Sequence, residues 1–149
     1  AQEPNLNDHF VQALLQPADN LVSGLRDADV DLAQKSASKL IGLGTGLTPA
    51  GDDFLAGALL ACWTGFSSGA TLQFLPQVVE SISSRTTRLS RAYLRSAAEG
   101  EFSEIWHVLI QSLVTNDEPT CKSSLKEIVQ IGHNSGAYTL AGFVKALAP

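Results

Sequence analysis

Two segments of this chain are apolar or small at nearly every position. One is Phe54, Leu55, Ala56, Gly57, Ala58, Leu59, Leu60, Ala61; the other holds Tyr138, Leu140, Ala141, Gly142, Phe143 and Val144. A helix with no polar face has no side to give to water, so both are expected as central helices of a packed bundle. Elsewhere apolar residues recur at helical spacing, and no stretch alternates apolar and polar residues long enough to argue for a strand. The expected fold class is all-α, a compact helical domain with two central apolar helices. Helices are expected over 8–15, 18–26, 30–40, 49–66, 72–84, 86–99, 101–114, 121–131 and 135–147. The two central helices also echo each other: Gly51, Leu55, Ala56 and Gly57 reappear at a constant offset of 85 as Gly136, Leu140, Ala141 and Gly142. Leu-Ala-Gly lets two backbones pass closely, which would set one central helix against the other.

With 149 residues and 44 % apolar content, the chain is expected to be a single domain over 1–149. A chain this long buries roughly two-thirds of its unfolded surface and needs no disulfide or metal to hold a core. Cys62 and Cys121 have no CxxC spacing and read as free thiols of a reducing compartment, so a cytoplasmic location is expected. The apolar heart of residues 54–63 is about half a membrane span, which argues for a buried helix and no membrane anchor. Net charge is −5, and residues 1–70 hold eight acidic against three basic side chains while residues 71–149 hold seven of each. With no basic tract to offset that excess, nucleic acid is not an expected partner. Methionine is absent even at position 1, and Ala1 is expected to follow a cut inside a longer polypeptide of which this is the C-terminal part.

The chemistry concentrates where the two central helices begin. Before the first stands Gly42-Leu43-Gly44-Thr45-Gly46-Leu47-Thr48-Pro49-Ala50-Gly51-Asp52-Asp53. Thr48 is expected to cap the helix with Pro49 at its first position, and the glycines permit tight turns and close backbone approach. Free N–H groups at a helix start attract anions. No Gly-Lys-Ser/Thr follows and no strand precedes, so the loop is neither a Walker loop nor a dinucleotide fingerprint. Asp52 and Asp53 either favour the positive end of the helix dipole or act chemically, with a magnesium or manganese ion as a conceivable cofactor although the spacing matches no recognised metal motif. Before the second central helix stands Ile131-Gly132-His133-Asn134-Ser135-Gly136. Asn134 or Ser135 can cap it, and His133 can donate to an anion, act as acid or base, or satisfy a carbonyl.

Along residues 84–99, helical projection puts Thr86, Leu89, Ser90, Tyr93 and Ala97 on one face and Arg85, Arg88, Arg91 and Arg95 on the opposite one. The first face is expected to be buried, so that the Thr86 and Ser90 hydroxyls either bond back to a carbonyl or line a polar site. The arginines are expected on an exposed face, a solvated stripe or one suited to an acidic partner. The candidate catalytic residues are therefore Asp52, Asp53 and His133. Candidate substrate contacts are Gly44, Thr45, Gly46, Thr48, Thr86, Ser90, Asn134 and Ser135, with both lead-in loops expected to meet around one small anionic ligand.

The run from Gly42 to Gly57, then Thr87 with Ser90, then Gly132-His133-Asn134-Ser135-Gly136 with Leu140-Ala141-Gly142, resembles the successive signatures of a bacterial family catalogued as a domain of unknown function. That family contains AllH, a subunit of the oxamate carbamoyltransferase of allantoin degradation. The resemblance runs from about Val30 to the C-terminus. It implies carbamoyl transfer, in which oxalurate and phosphate are exchanged with oxamate and carbamoyl phosphate, by an assembly that includes other carbamoyltransferase subunits and is coupled to carbamate kinase. It also implies a further N-terminal region, and a serine where this chain has Ala50, which removes one hydroxyl. The site assignments rest on motif position and physics, not on the resemblance. Two other readings stand beside it: a non-catalytic ligand-binding or assembly subunit, and a metal-dependent hydrolase using Asp52 and Asp53.

Overall fold

The computed structural model describes residues 6–149, with side chains from residue 9 onward. Residues 1–5, the start of the expected single domain, lie outside the described residues. The described part is all-α: α1 (Leu6–Arg26), α2 (Val30–Leu40), α3 (Ala50–Ala61), α4 (Gly69–Ile82), α5 (Arg88–Ala98), α6 (Glu104–Val114), α7 (Glu118–Val129) and α8 (Ser135–Leu147). A wider π turn over Cys62–Phe66 extends α3 and ends where Gly65 takes φ +92°. Cys62 is buried, Cys121 half-buried, and neither is in a disulfide. None of the described helices is long and apolar enough to cross a membrane.

The two helices expected before residue 27 are one, because α1 continues through Pro17. Pro17 forfeits a backbone hydrogen bond, but Leu14, Ala18, Leu21, Val22 and Leu25 form one buried stripe across it, and that burial outweighs the local cost.

α3 is central as expected: all its residues but Ala56 are buried. α8 is not. It buries Gly136, Gly142, Phe143 and Ala146 and turns Val144 to solvent at 54 % exposure. An apolar circumference alone therefore did not place it at the centre. One face suffices for its role, because α3 and α8 make the most extensive helix pair in the fold. A Cβ on Gly57 would sit 1.8 Å from the Thr139 carbonyl oxygen, and one on Gly142 would sit 2.0 Å from that of Phe54. The offset of 85 relates Gly57 to Gly142 and Phe54 to Thr139, so the two contacts are images of each other about a pseudo-twofold axis. A similar contact recurs at the helix starts, where Gly51 packs on the Leu40 carbonyl and Gly136 on that of Ile128, although these carbonyls are 88 positions apart and not 85.

α5 is rotated from its expected orientation. Ser90, Leu94, Ala97 and Ala98 are buried, while Leu89 and Tyr93 are 40 % and 57 % exposed. Small residues let α5 approach α3 and α4 closely, and that packing decides the face where hydropathy pointed to Leu89 and Tyr93. Arg85, Arg88 and Arg95 are exposed as expected, whereas Arg91 is half-buried and its Nε donates to the Ser83 carbonyl at 3.0 Å.

Candidate functional site

Glycine backbone freedom shapes the loop between α2 and α3. Gly44 and Gly46 have φ of +107° and +89°, values at which a side chain would be strained. At Gly44 a Cβ would also lie 2.8 Å from the Ala50 nitrogen, so the loop folds back onto the start of α3. Pro49, not Thr48, occupies the position before the first helical residue, and no side chain caps α3 there. The reason is that the first-turn amides already have backbone partners: Gly51 N–H donates to the Leu43 carbonyl at 2.8 Å, and the N–H groups of Asp52 and Asp53 donate to that of Pro49 at 2.9 and 3.1 Å. Thr48 is thereby free for another contact. Its Oγ1 lies 3.0 Å from Ser135 Oγ at the start of α8.

That contact joins the two lead-in loops. Around it opens a cavity of about 710 Å³ lined by Gly44, Thr45, Gly46, Leu47, Thr48, Ala50 and Asp53 from one side and by Gly132, His133, Asn134, Ser135 and Tyr138 from the other, with Phe10 and Leu89 at its edge. Phe10 and Tyr138 meet edge to face with ring centroids 6.0 Å apart. Among the described residues, no acceptor receives the N–H groups of Gly44 through Thr48. The cavity wall thus carries unpaired donors, but no lining residue among those described is a lysine or an arginine. Asn134 precedes α8 in the capping position without a side-chain cap bond, and His133 is exposed.

The two aspartates have different surroundings although both are buried. Asp52 Oδ1 accepts from Gly42 N–H at 2.7 Å and its Oδ2 from the Thr86 hydroxyl. Both oxygens are used inside the protein, tying the loop to the start of α5, and Asp52 does not line the cavity. Asp53 does line it, at 7 % exposure, and among the described residues its Oδ2 has no hydrogen-bond partner. Burial pushes its carboxyl up to about 6, against the opposing pull of the Ser135 and Thr48 hydroxyls and with a smaller push from the Asp52 charge. Asp53 is therefore the carboxyl of the pair poised to exchange a proton near neutrality.

Of the expected site residues, the structure brings together Gly44, Thr45, Gly46, Thr48, Asp53, His133, Asn134 and Ser135. It sets Asp52, Thr86 and Ser90 behind the wall. Thr86 serves Asp52, while the hydroxyls of Ser90 and Thr87 donate to the Leu47 carbonyl and so fix the loop crest from below. Asp52 is engaged at both oxygens, so Asp53 is the aspartate of the two that faces the cavity. Among the described residues no group of three His, Cys, Asp or Glu side chains is arranged to hold a metal ion. Tyr138, Leu89 and Phe10 were not expected in the site. For Tyr138 a signal existed, since it follows Ser135 by three positions and so shares its helix face.

A family model described as oxamate carbamoyltransferase subunit AllH matches residues 40–147, a span containing both lead-in loops, α5 and the α3 and α8 pair. No solved structure matches the chain.

Proposed function

The chain belongs to the family of the oxamate carbamoyltransferase subunit AllH, and on that premise we propose that its cavity binds the small anionic substrate of a carbamoyl transfer. The reaction is the exchange of oxalurate and phosphate with oxamate and carbamoyl phosphate, in cytoplasmic allantoin degradation and together with other subunits. The observation that carries this reading is the 3.0 Å contact of Thr48 with Ser135, which makes one site of two helix starts. Unpaired loop amides, two helix dipoles and two hydroxyls favour a carboxylate or phosphate. His133 and Asp53 are the titratable groups offered for proton transfer at the departing nitrogen.

One feature favours a second reading, in which the chain holds the ligand and its partner subunits complete the chemistry: a doubly charged phosphate meets no guanidinium or ammonium among the described lining residues. The experiment is calorimetric titration of oxalurate, carbamoyl phosphate and phosphate, with and without magnesium, into the protein and its His133→Gln variant. Binding that His133→Gln weakens supports the site, and turnover by the assembled subunits that falls with His133→Gln at saturating ligand supports the first reading over the second. Absence of binding by all three ligands overturns both. Binding that requires magnesium would support a cation held by Asp53 and the ligand.

A further inference from the structure

Asp53 carries more information about the ligand than the anion-binding donors around it. Its carboxylate is more than nine-tenths buried and lines the cavity, yet among the described residues Oδ2 has no hydrogen-bond partner. Among the described residues no cationic donor reaches it: the Thr48 and Ser135 hydroxyls beside it share one hydrogen bond with each other, which leaves a single hydroxyl proton for the carboxylate, Asp52 is an acceptor already engaged, and no lysine or arginine lines the space. An unpaired buried carboxylate oxygen is costly, so the arrangement is stabilised by whatever brings a donor to it. The terminal torsion of a carboxylate is broad and two-fold, so the group can turn Oδ2 to the cavity without moving α3.

We propose that Asp53 is the specificity-determining residue of this cavity, accepting a hydrogen bond from a ligand N–H, so that the site selects small anions that also bear a primary amide. The inference rests on the anion-site reading and adds what that reading lacks. Loop amides and helix starts take any carboxylate or phosphate, but a carboxylate acceptor beside them repels a second anionic oxygen and rewards –NH2. Discrimination of this kind is large because the wrong group leaves a buried polar atom unpaired.

The test uses oxamate and pyruvate, which carry the same charge and differ by –NH2 against –CH3, with oxalate placing an anionic oxygen at that position. Calorimetry on the full chain at pH 8 should show oxamate preferred over pyruvate by at least about tenfold, with oxalate weakest. In Asp53→Asn the preference should fall to within about threefold while pyruvate binding is retained. If the Asn variant fails to fold, the oxamate to pyruvate ratio of the unaltered protein between pH 8 and 5 serves instead. Protonation of Asp53 should lower that ratio, whereas His133, Asp52 and Tyr138 act on both monoanions alike. Equal binding of oxamate and pyruvate, or a preference that survives Asp53→Asn, overturns the assignment and leaves the anion site standing. Failure of oxamate, pyruvate, oxalate and phosphate all to bind overturns the anion site and the assignment together.

Discussion

The hydroxyls of Thr48 and Ser135, 87 positions apart in the chain, sit 3.0 Å from each other where α3 and α8 begin. Neither helix start is stapled to its own chain by these side chains, so each hydroxyl is available to the other and to the cavity between them. In a double-mutant cycle, Thr48→Val and Ser135→Ala should each cost about 0.5–1.5 kcal/mol and couple by about 0.5–1 kcal/mol in urea unfolding. Strict additivity would mean that the contact contributes nothing to joining the loops.

Asp52→Ala should destabilise the fold by about 2–4 kcal/mol, since it leaves both the Gly42 N–H and the Thr86 hydroxyl without their acceptor. Proteolysis within residues 42–48 should rise as the loop loosens. A variant with native stability and lost ligand binding would instead make Asp52 a direct ligand contact.

The crossing of α3 and α8 is set by glycine. Gly57→Ala and Gly142→Ala place a methyl carbon 1.8 and 2.0 Å from backbone oxygens that cannot turn away, so each should cost at least about 3 kcal/mol or abolish folding. Gly69→Ala, where a Cβ meets nothing within 4 Å, should change stability by no more than about 0.5 kcal/mol. Comparable melting temperatures for all three variants would contradict this packing.

Much of this architecture was legible in sequence because burial on a helix is periodic. The unbroken apolar run of α3, the offset of 85 between Gly57 and Gly142, and the polar character of both lead-ins all leave local traces. What left none was long-range pairing. The bonds from Asp52 to Gly42 and Thr86 look in sequence like a free carboxylate at a helix start, and Thr48 has the residue type of a cap although its partner is Ser135. α5 misled for another reason: Leu89 and Tyr93 are the larger apolar residues, but Ser90, Ala97 and Ala98 are small enough to bring the backbone against α3 and α4.

Stability should depend on pH through Asp53. Its carboxyl is raised from 3.8 in the unfolded chain to about 6 in the fold, so the native state binds the proton more tightly. That contribution is fully present below pH of about 4 and is lost as pH rises through about 6, by up to about 3 kcal/mol. Asp53→Asn should remove this dependence and exceed the stability of the unaltered protein at pH 8. A variant whose unfolding free energy keeps the same slope between pH 4 and 7 would assign the effect to another group.

The central claim is that two helix starts form one ligand site, and its most direct measurement is an amide nitrogen–proton NMR titration of the protein with oxamate and, separately, with phosphate. The resonances of Gly44, Thr45 and Gly46 and those of Asn134 and Ser135 should move together and follow a single dissociation constant. Movement of only one loop, or two loops that saturate at different concentrations, would contradict it.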